Sequence, residues 1–140
     1  MIEKYITKDV TGTLKLASSF AQTLVPGTVV GLTGELGTGK TVFTKGMAQA
    51  LGVKEKVTSP TFTLINEYHG DVVLYHMDFY RLNSQQEILD IGVEEYFFSD
   101  CICVVEWAEK MGEMFPDSSI KVIIRYLNNN DREIEIERPE

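Results

Sequence analysis

The spacing of apolar residues predicts two helices, and a capping pattern predicts a third. Apolar side chains recur three and four positions apart over residues 12–24 and again over 40–51, as they do along the buried face of an amphipathic helix. Ser84 is followed three residues later by Glu87, which is the pattern of a capping box and predicts a third helix over 85–91. Two of the predicted helices therefore lie in the first half of the chain and one in the second.

Six other stretches have the composition of β-strands, with short apolar runs or an alternation of apolar and polar residues. The second and third of them are separated by a His-Gly-Asp turn and predict a hairpin, and the last two predict a closing antiparallel pair. Together with the helices they predict an α/β fold, with a central mixed sheet flanked by helices and with antiparallel strands added to it. The predicted strands are 28–33, 61–68, 72–80, 101–106, 120–126 and 133–137.

Composition and charge narrow the class of protein. The 140 residues are 44% hydrophobic, which suits a single folded domain over 1–140. Apolar runs are much shorter than a membrane span and the N-terminus lacks a secretory signal, so we expect a cytoplasmic protein that has no contact with membranes. Cys101 and Cys103 alternate within a hydrophobic stretch and are expected to be reduced strand residues. With 21 acidic and 13 basic residues and a net charge of −8, broad nucleic-acid binding is not expected.

A glycine-rich segment between a predicted strand and a predicted helix carries the clearest chemistry. The letters G-E-L-G-T-G-K-T at 34–41 match the phosphate-binding pattern GxxxxGK[ST] at every fixed position, which predicts a P-loop NTPase-like domain. Glycines let successive backbone N–H groups turn inward around a phosphate, and the N-terminus of the following helix adds partial positive charge. Lys40 is predicted to reach the β- and γ-phosphates, and the Thr41 hydroxyl is predicted to bind Mg²⁺. The residues predicted to bind nucleotide here are Gly34, Gly37, Thr38, Gly39, Lys40, Thr41 and Val42.

A P-loop NTPase also needs an acidic residue at the end of a neighbouring strand to complete its magnesium site. Glu106 ends the apolar run I-C-V-V, whereas Asp78 ends the less uniformly apolar V-L-Y-H-M. We favour Glu106 as the metal ligand. Asp78 is then predicted to bind the metal through water or to position the attacking water. Which of the two carboxylates binds the metal directly stays open at this stage.

Several residues near these positions have two interpretations. The segment T-S-P-T-F-T, which contains Ser59 and Thr61, lies where P-loop proteins have a switch that contacts the γ-phosphate, but Ser-Pro also makes an ordinary turn. Arg81 either stabilises transition-state charge or pairs with a carboxylate, and Trp107 is either a core residue or part of the site. All four are candidates for switch or partner contacts. His76 alternates with buried positions and is expected to be a hydrogen-bonded strand residue.

Taken in order, these motifs resemble the bacterial TsaE (YjeE) family. The matching segments are G-E-L-G-T-G-K-T, S-P-T-F-T-L, H-M-D-F-Y-R-L, I-G-V-E-E-Y-F and V-V-E-W-A-E, and their spacing matches from about Thr13 to Glu137. Glu35 and Thr38 stand where the family often has Asp and Ala, and neither difference removes a glycine or a charged contact. The resemblance implies a small P-loop ATPase that uses ATP and Mg²⁺.

The resemblance also implies a cellular role. Family members act in the synthesis of N6-threonylcarbamoyladenosine at position 37 of tRNAs reading codons that begin with A. They bind the complex of TsaD and TsaB, which performs the transfer, so weak ATPase activity that the partners stimulate is expected. Since the chain is acidic, we expect the partners to carry most of the tRNA contacts.

Site residues follow from the same resemblance, motif by motif. Lys40 and Thr41 are expected to hold phosphate and Mg²⁺, Glu106 to be a second Mg²⁺ contact, and Asp78 to be required for hydrolysis. Trp107 is expected beside the site. The family also places the nucleotide base near residues that match Val10, Thr11 and Arg132.

Other classes of function fit the sequence less well. A small-molecule kinase using the same P-loop is the alternative, but such kinases usually carry several lid arginines, and this chain has four arginines, two of them in its last ten residues. A GTP-dependent switch would need the guanine-reading tetrapeptide N-K-x-D, which the sequence lacks. A third alternative is a binding module that is controlled by nucleotide and for which hydrolysis is incidental. It differs little from the favoured hypothesis, because an ATPase that acts on a partner complex is itself regulatory.

Overall fold

The computed structural model describes residues 1–35, 37–60, 63–97 and 99–139. Within them the chain forms a sheet covered by helices on both faces. The helices are α1 (Val10–Ala21), α2 (Lys40–Ala50), α3 (Gln85–Ile91) and α4 (Val93–Phe97), with 3-10 helices at Ala108–Met114 and Asn128–Asn130. The strands are β1 (Ile2–Thr7), β2 (Val29–Thr33), β3 (Ile65–His69), β4 (Val73–Asp78), β5 (Ile102–Glu106), β6 (Ile120–Tyr126) and β7 (Arg132–Glu137).

The seven strands form one mixed sheet in the order β1-β7-β6-β2-β5-β4-β3. Its centre is parallel, because β2 pairs with both β5 and β6 and β4 pairs with β5 in the same direction. Antiparallel strands extend both sides, with β3 beside β4 at one edge and β7 and β1 beyond β6 at the other. The predicted fold class, a mixed sheet flanked by helices with antiparallel additions, is confirmed.

The two faces of the sheet bury different sets of side chains, because successive residues of a strand point to opposite faces. Helices α1 and α2 cover one face, and their core is continuous with Ile102 and Val104 of β5. Helices α3 and α4 and the 3-10 helix Ala108–Met114 cover the other face, where Cys103 and Val105 of β5 are buried. Strand β5 is therefore buried on both faces, which explains its uninterrupted apolar sequence.

Helices α1 and α2 cross at a glycine. A Cβ atom added to Gly46 of α2 would lie 2.6 Å from the Leu14 carbonyl oxygen and 2.7 Å from the Ala17 Cβ atom of α1. Any side chain at this position would push the helices apart, so the glycine sets how closely α1 packs on α2. Since α2 begins at the phosphate-binding motif, this contact also fixes the helix that carries the site.

The sequence predictions differ from the structure mainly at element boundaries. Helix α1 begins at Val10 rather than at 12, because the side chain of Asp9 accepts a hydrogen bond from the Gly12 N–H (2.8 Å) and caps the helix. It ends at Ala21 rather than at 24. Strand β3 begins at Ile65 rather than at 61, and 61–62 lie outside the described residues.

Among the described residues, one strand and one α-helix were not predicted, and neither were the two short 3-10 helices. Strand β1 lies at the edge of the sheet with most of its residues exposed, so it lacks a strong apolar alternation, and pairing with β7 defines it. Helix α4 has only five residues, which is too short for a helical period to stand out.

No helix in the described part of the chain is long and apolar enough to cross a membrane. The longest, α1, has 12 residues.

Candidate nucleotide-binding site

The glycine-rich segment connects β2 to α2 and has the backbone shape that its sequence predicts. Gly34, Gly37 and Gly39 have φ angles of 152°, 82° and 111°, a region that side chains disfavour. At Gly34 space is restrictive as well, because a Cβ atom there would lie 2.5 Å from the Ile124 carbonyl oxygen. Gly39 is the N-cap residue of α2, so the loop leads directly into the helix N-terminus.

Lys40, the first residue of α2, has its ammonium group folded back over the loop. Its Nζ atom donates hydrogen bonds to the carbonyl oxygens of Gly34 (2.7 Å) and Glu35 (3.0 Å) and lies 4.2 Å from the centroid of the Trp107 ring. Burial lowers the pKa of the Lys40 ammonium, and the charges of the nearby carboxylates, Glu106 first, partly oppose that shift. The group is thus a poorly solvated cation at the centre of the site.

Two carboxylates lie side by side next to the loop. Asp78 and Glu106 are register partners at the ends of the parallel strands β4 and β5, and both are buried. The Thr41 hydroxyl donates to Glu106 Oε2 (3.1 Å), so Glu106 contacts the phosphate-binding helix directly. Asp78 Oδ1 instead accepts a hydrogen bond from the Tyr80 N–H (2.9 Å), which turns the chain away from the strand.

His76 adds an imidazole to this group. It is fully buried two residues before Asp78 on the same face of β4, and its Nε2 atom lies 2.5 Å from Glu106 Oε2. The expectation of a hydrogen-bonded strand residue is confirmed, but its partner is the carboxylate predicted to bind the metal. Only the parallel register of β4 and β5 brings these two residues together.

Trp107 has an unusual backbone conformation, with φ 60° and ψ 39°. A bulky residue in this left-handed region costs about 1–3 kcal/mol, which surrounding contacts must offset. The Trp107 N–H donates to the Leu32 carbonyl oxygen (3.0 Å), and its ring stacks on Tyr80 with centroids 5.0 Å apart. The turn places the indole against Lys40, so Trp107 is part of the site and not only of the core.

The hairpin of β6 and β7 supports the loop from the other side. The Tyr126 hydroxyl donates to the Gly37 carbonyl oxygen (2.6 Å), and Arg132 Nε donates to the Thr38 carbonyl oxygen (3.0 Å). The Arg132 guanidinium lies 4.2 Å from the centroid of the Tyr126 ring. Sequence reasoning singled out Arg132 but missed Tyr126, whose only signal is its place opposite Arg132 in the antiparallel register.

A cleft of about 310 Å³ lies beside this loop. It brings together five of the seven residues predicted to bind nucleotide, all but Gly34 and Thr38, with both acidic residues and Ser59, and it adds Tyr80, which the sequence analysis did not single out. The lining residues are Gly37, Gly39, Lys40, Thr41, Val42, Ser59, Asp78, Tyr80, Glu106 and Trp107.

Other predicted residues do not line the cleft. Arg81 follows Tyr80 but is not among the described lining residues, and neither are Val10 and Thr11. The latter two begin α1, just beyond Thr7, which is the register partner of Arg132. Thr61 lies outside the described residues, so its part in a switch stays a prediction.

The donor atoms of the cleft suit a magnesium ion. Mg²⁺ prefers hard oxygen ligands and is usually held by one or two carboxylates together with substrate phosphates. Thr41 and Glu106 offer a hydroxyl and a carboxylate already in contact, with Asp78 alongside. The described residues contain no group of three or more His, Cys, Asp or Glu side chains able to hold a metal.

Known proteins are similar to this chain in both sequence and fold. A family model described as threonylcarbamoyl adenosine biosynthesis protein TsaE matches residues 7–134. A protein of Treponema pallidum named tRNA threonylcarbamoyladenosine biosynthesis protein TsaE is 40% identical over 131 residues, which are 94% of this chain and 97% of that protein. A Bacillus subtilis protein of the same name is 46% identical over 121 residues, covering 86% of this chain and 73% of the relative.

A solved structure agrees with these matches. The crystal structure of Bacillus subtilis YdiB superposes with a TM-score of 0.87 and 36% sequence identity, covering all of this chain and 87% of that one. The matched range includes both the phosphate-binding loop and the two acidic strand ends. The chain therefore belongs to the TsaE family.

Proposed function

We propose that this chain is a Mg²⁺-dependent ATPase that serves the synthesis of N6-threonylcarbamoyladenosine at position 37 of tRNAs reading codons that begin with A. The names of its relatives support the pathway, and the cleft supports the chemistry. The observation that carries the proposal is the contact of Thr41 with Glu106 (3.1 Å) directly beside the buried Lys40.

The phosphates of ATP would bind at the N-terminus of α2. Backbone N–H groups of the glycine-rich loop and the partial positive charge of the helix end favour an anion there. Lys40 would exchange its hydrogen bonds to Gly34 and Glu35 for bonds to the phosphate oxygens, because its amine is already aimed at the loop. Trp107 would keep that ammonium poorly hydrated, which strengthens its attraction to phosphate.

Thr41 and Glu106 would hold Mg²⁺, which neutralises phosphate charge when it is bound. Asp78 would orient the attacking water and accept its proton, since it lies beside Glu106 but does not share the Thr41 contact. The base of the nucleotide would lie toward Arg132, Val10 and Thr11, and the hydrogen bond from Arg132 to Thr38 supports that direction.

The partners of this ATPase would be TsaD and TsaB. The cleft has no arginine among its described lining residues, so a group supplied in trans would complete it, as activators do for other P-loop proteins. Contacts with these partners would involve the side of the cleft near Ser59 and Trp107, and Arg81 and Thr61 remain candidates for such contacts. The net charge of −8 favours partners, rather than this chain, as the main tRNA-binding surface.

ATP turnover with Mg²⁺ tests the proposal, for the wild type and Lys40→Ala, with and without purified TsaD–TsaB. We expect slow turnover by the chain alone, faster turnover with the partners, and loss of both in the variant. Turnover that the partners leave unchanged would contradict a role in their complex. Transfer of the γ-phosphate to a small acceptor would instead identify a kinase.

A further inference from the structure

His76 lies against the acidic residue of the site without belonging to the cleft lining. Its side chain is fully buried, and its Nε2 atom lies 2.5 Å from Glu106 Oε2, the same oxygen that accepts from the Thr41 hydroxyl. Glu106 Oε2 therefore has two hydrogen-bond partners, Thr41 on the helix that follows the glycine-rich loop and His76 on β4. In the His76 tautomer that carries its ring proton on Nε2, this nitrogen donates to the carboxylate oxygen.

The second ring nitrogen of His76, Nδ1, indicates that this residue is not there to stabilise the core. His76 Nδ1 is buried and has no hydrogen-bond partner among the described residues. A buried polar atom without a partner destabilises the fold, so an apolar side chain would suit this layer of the core better. Leu74, two residues earlier on the same face, shows that β4 accepts one there. Burying the imidazole therefore costs folding free energy at Nδ1. Among the described residues, the one hydrogen bond of this ring is the contact of Nε2 with Glu106.

We propose that His76 is a positioning residue that holds the Glu106 carboxylate in the orientation needed to bind the Mg²⁺ of a Mg·nucleotide. This inference rests on the proposed nucleotide binding. The contact with His76 holds Glu106 Oε2 near β4. It thereby limits rotation of the Glu106 carboxylate and keeps this oxygen within hydrogen-bond distance of the Thr41 hydroxyl. Hydrogen bonds of this kind to ligating carboxylates orient them, and their loss typically lowers metal affinity or activity about 10–100-fold.

The first test compares the affinity for a nucleotide in the presence of Mg²⁺ with the affinity in its absence. A fluorescent ATP analogue is titrated into wild type, His76→Leu, His76→Asn and His76→Gln, each with Mg²⁺ and with EDTA. Glutamine places its amide N–H near the position of Nε2, whereas asparagine ends one bond short of it. We expect the gain in affinity from Mg²⁺ to fall about tenfold in the leucine and asparagine variants and to be kept in the glutamine variant, with unchanged affinity in EDTA.

The chain offers a matched control, because it contains one other histidine. His69 Nε2 also lies close to a carboxylate, 2.7 Å from Glu67 Oε2, but both side chains are exposed on the edge strand β3. His69→Leu removes the same kind of contact far from the cleft and should leave the gain from Mg²⁺ unchanged.

Two results would overturn the inference. If all three His76 variants keep the full gain from Mg²⁺, the contact does not position the ligand. If they lose affinity equally in Mg²⁺ and EDTA, glutamine included, His76 only maintains the packing of the site. A wild type that binds no nucleotide in either buffer would contradict the proposed function instead.

A second test needs neither metal nor nucleotide and requires no substitution in the core. In ¹⁵N NMR spectra of the wild type, the two histidines are separated by comparison with His69→Leu. We expect the His76 ring to carry a proton on Nε2 that exchanges slowly with water, because the atom is buried and donating. An Nε2 without a proton would overturn the inference.

Discussion

Asp78 and Glu106 are register partners at the ends of two neighbouring parallel strands, yet they contact different parts of the molecule. Glu106 accepts from Thr41 on the phosphate-binding helix and from His76, whereas Asp78 Oδ1 accepts from the backbone of Tyr80. Asp78 and Glu106 are equally buried but have different hydrogen-bond partners. The division suggests that one binds the metal and the other acts on water.

Separate substitutions should distinguish these roles. Asp78→Asn should lower the rate of ATP hydrolysis by about 10²–10⁴-fold, as expected for loss of a general base, and leave Mg·nucleotide affinity nearly unchanged. Glu106→Gln should weaken the Mg²⁺-dependent part of the affinity. Single-turnover hydrolysis and nucleotide titration in Mg²⁺ and EDTA measure the two effects. The reverse pattern would assign the metal to Asp78.

The lowered pKa of Lys40 predicts how nucleotide binding depends on pH. As the pH rises through the lowered pKa, the ammonium loses its proton and its attraction to phosphate, so affinity should begin to fall below the ordinary lysine value of 10.5. Titrations from neutral to alkaline pH test this, with Lys45→Ala on the exposed face of α2 as a control that should share the wild-type profile. A flat profile up to 10.5 would contradict it.

The same shift has a consequence for stability, with a definite sign. Folding lowers the pKa of Lys40, so the folded chain holds that proton less tightly than the unfolded chain does. Protonated Lys40 therefore opposes folding at neutral pH, and this opposition decreases as the pH rises from the lowered pKa toward 10.5.

The hydrogen bond from Tyr126 to the Gly37 carbonyl oxygen should contribute to nucleotide affinity by stiffening the loop. Tyr126→Phe removes only the hydroxyl, and the loss of about 1 kcal/mol corresponds to roughly fivefold weaker binding. Tyr5→Phe is the matched control, since it removes a hydroxyl bonded to Glu3 on the exposed strand β1. Equal affinities of wild type and Tyr126→Phe would show that the loop needs no support from the hairpin.

Two helical glycines should respond to alanine with opposite signs. Gly46→Ala forces a Cβ atom against the Leu14 carbonyl oxygen and should destabilise the fold by about 1–3 kcal/mol. At Gly12 of α1 the nearest atoms to an added Cβ lie 3.4 Å away, so Gly12→Ala should be neutral or stabilise by up to about 1 kcal/mol through helix propensity. Urea unfolding of both variants measures the difference. A stabilised Gly46→Ala would mean that α1 and α2 can separate without cost.

The cysteines should resist alkylation while the chain is folded. Cys101 and Cys103 are free, and burial hides both thiols from reagent. Burial also raises the pKa of the Cys103 thiol far above its ordinary value, so Cys103 forms almost no reactive thiolate near neutral pH. Iodoacetamide followed by mass spectrometry should modify neither residue in buffer and both in denaturant. Rapid modification of Cys103 in buffer would show that β5 opens readily.

Much of the fold follows from local pattern, and the exceptions have physical causes. The buried strand β5 and helices α2 and α3 were predicted because their periodicity and caps are encoded within a few residues. Strand β1 was missed because an exposed edge strand needs little apolar sequence, and its existence depends on pairing with β7 from the other end of the chain. The observed start of helix α1 differs from the predicted one because the Asp9 side chain caps the helix earlier than the apolar periodicity indicates.

The phosphate-binding loop could be read from the sequence, because glycines with positive φ, a lysine and a threonine must occur at fixed spacing to surround a phosphate. The two candidate acids could be read as well, because each ends a strand-like run. Three contacts required the folded structure: the acid that accepts from Thr41, the imidazole that contacts that acid, and the tyrosine that supports the loop. Those pairs are 65, 30 and 89 residues apart in the chain. No local pattern encodes them, because strand register and helix packing set the distances between them.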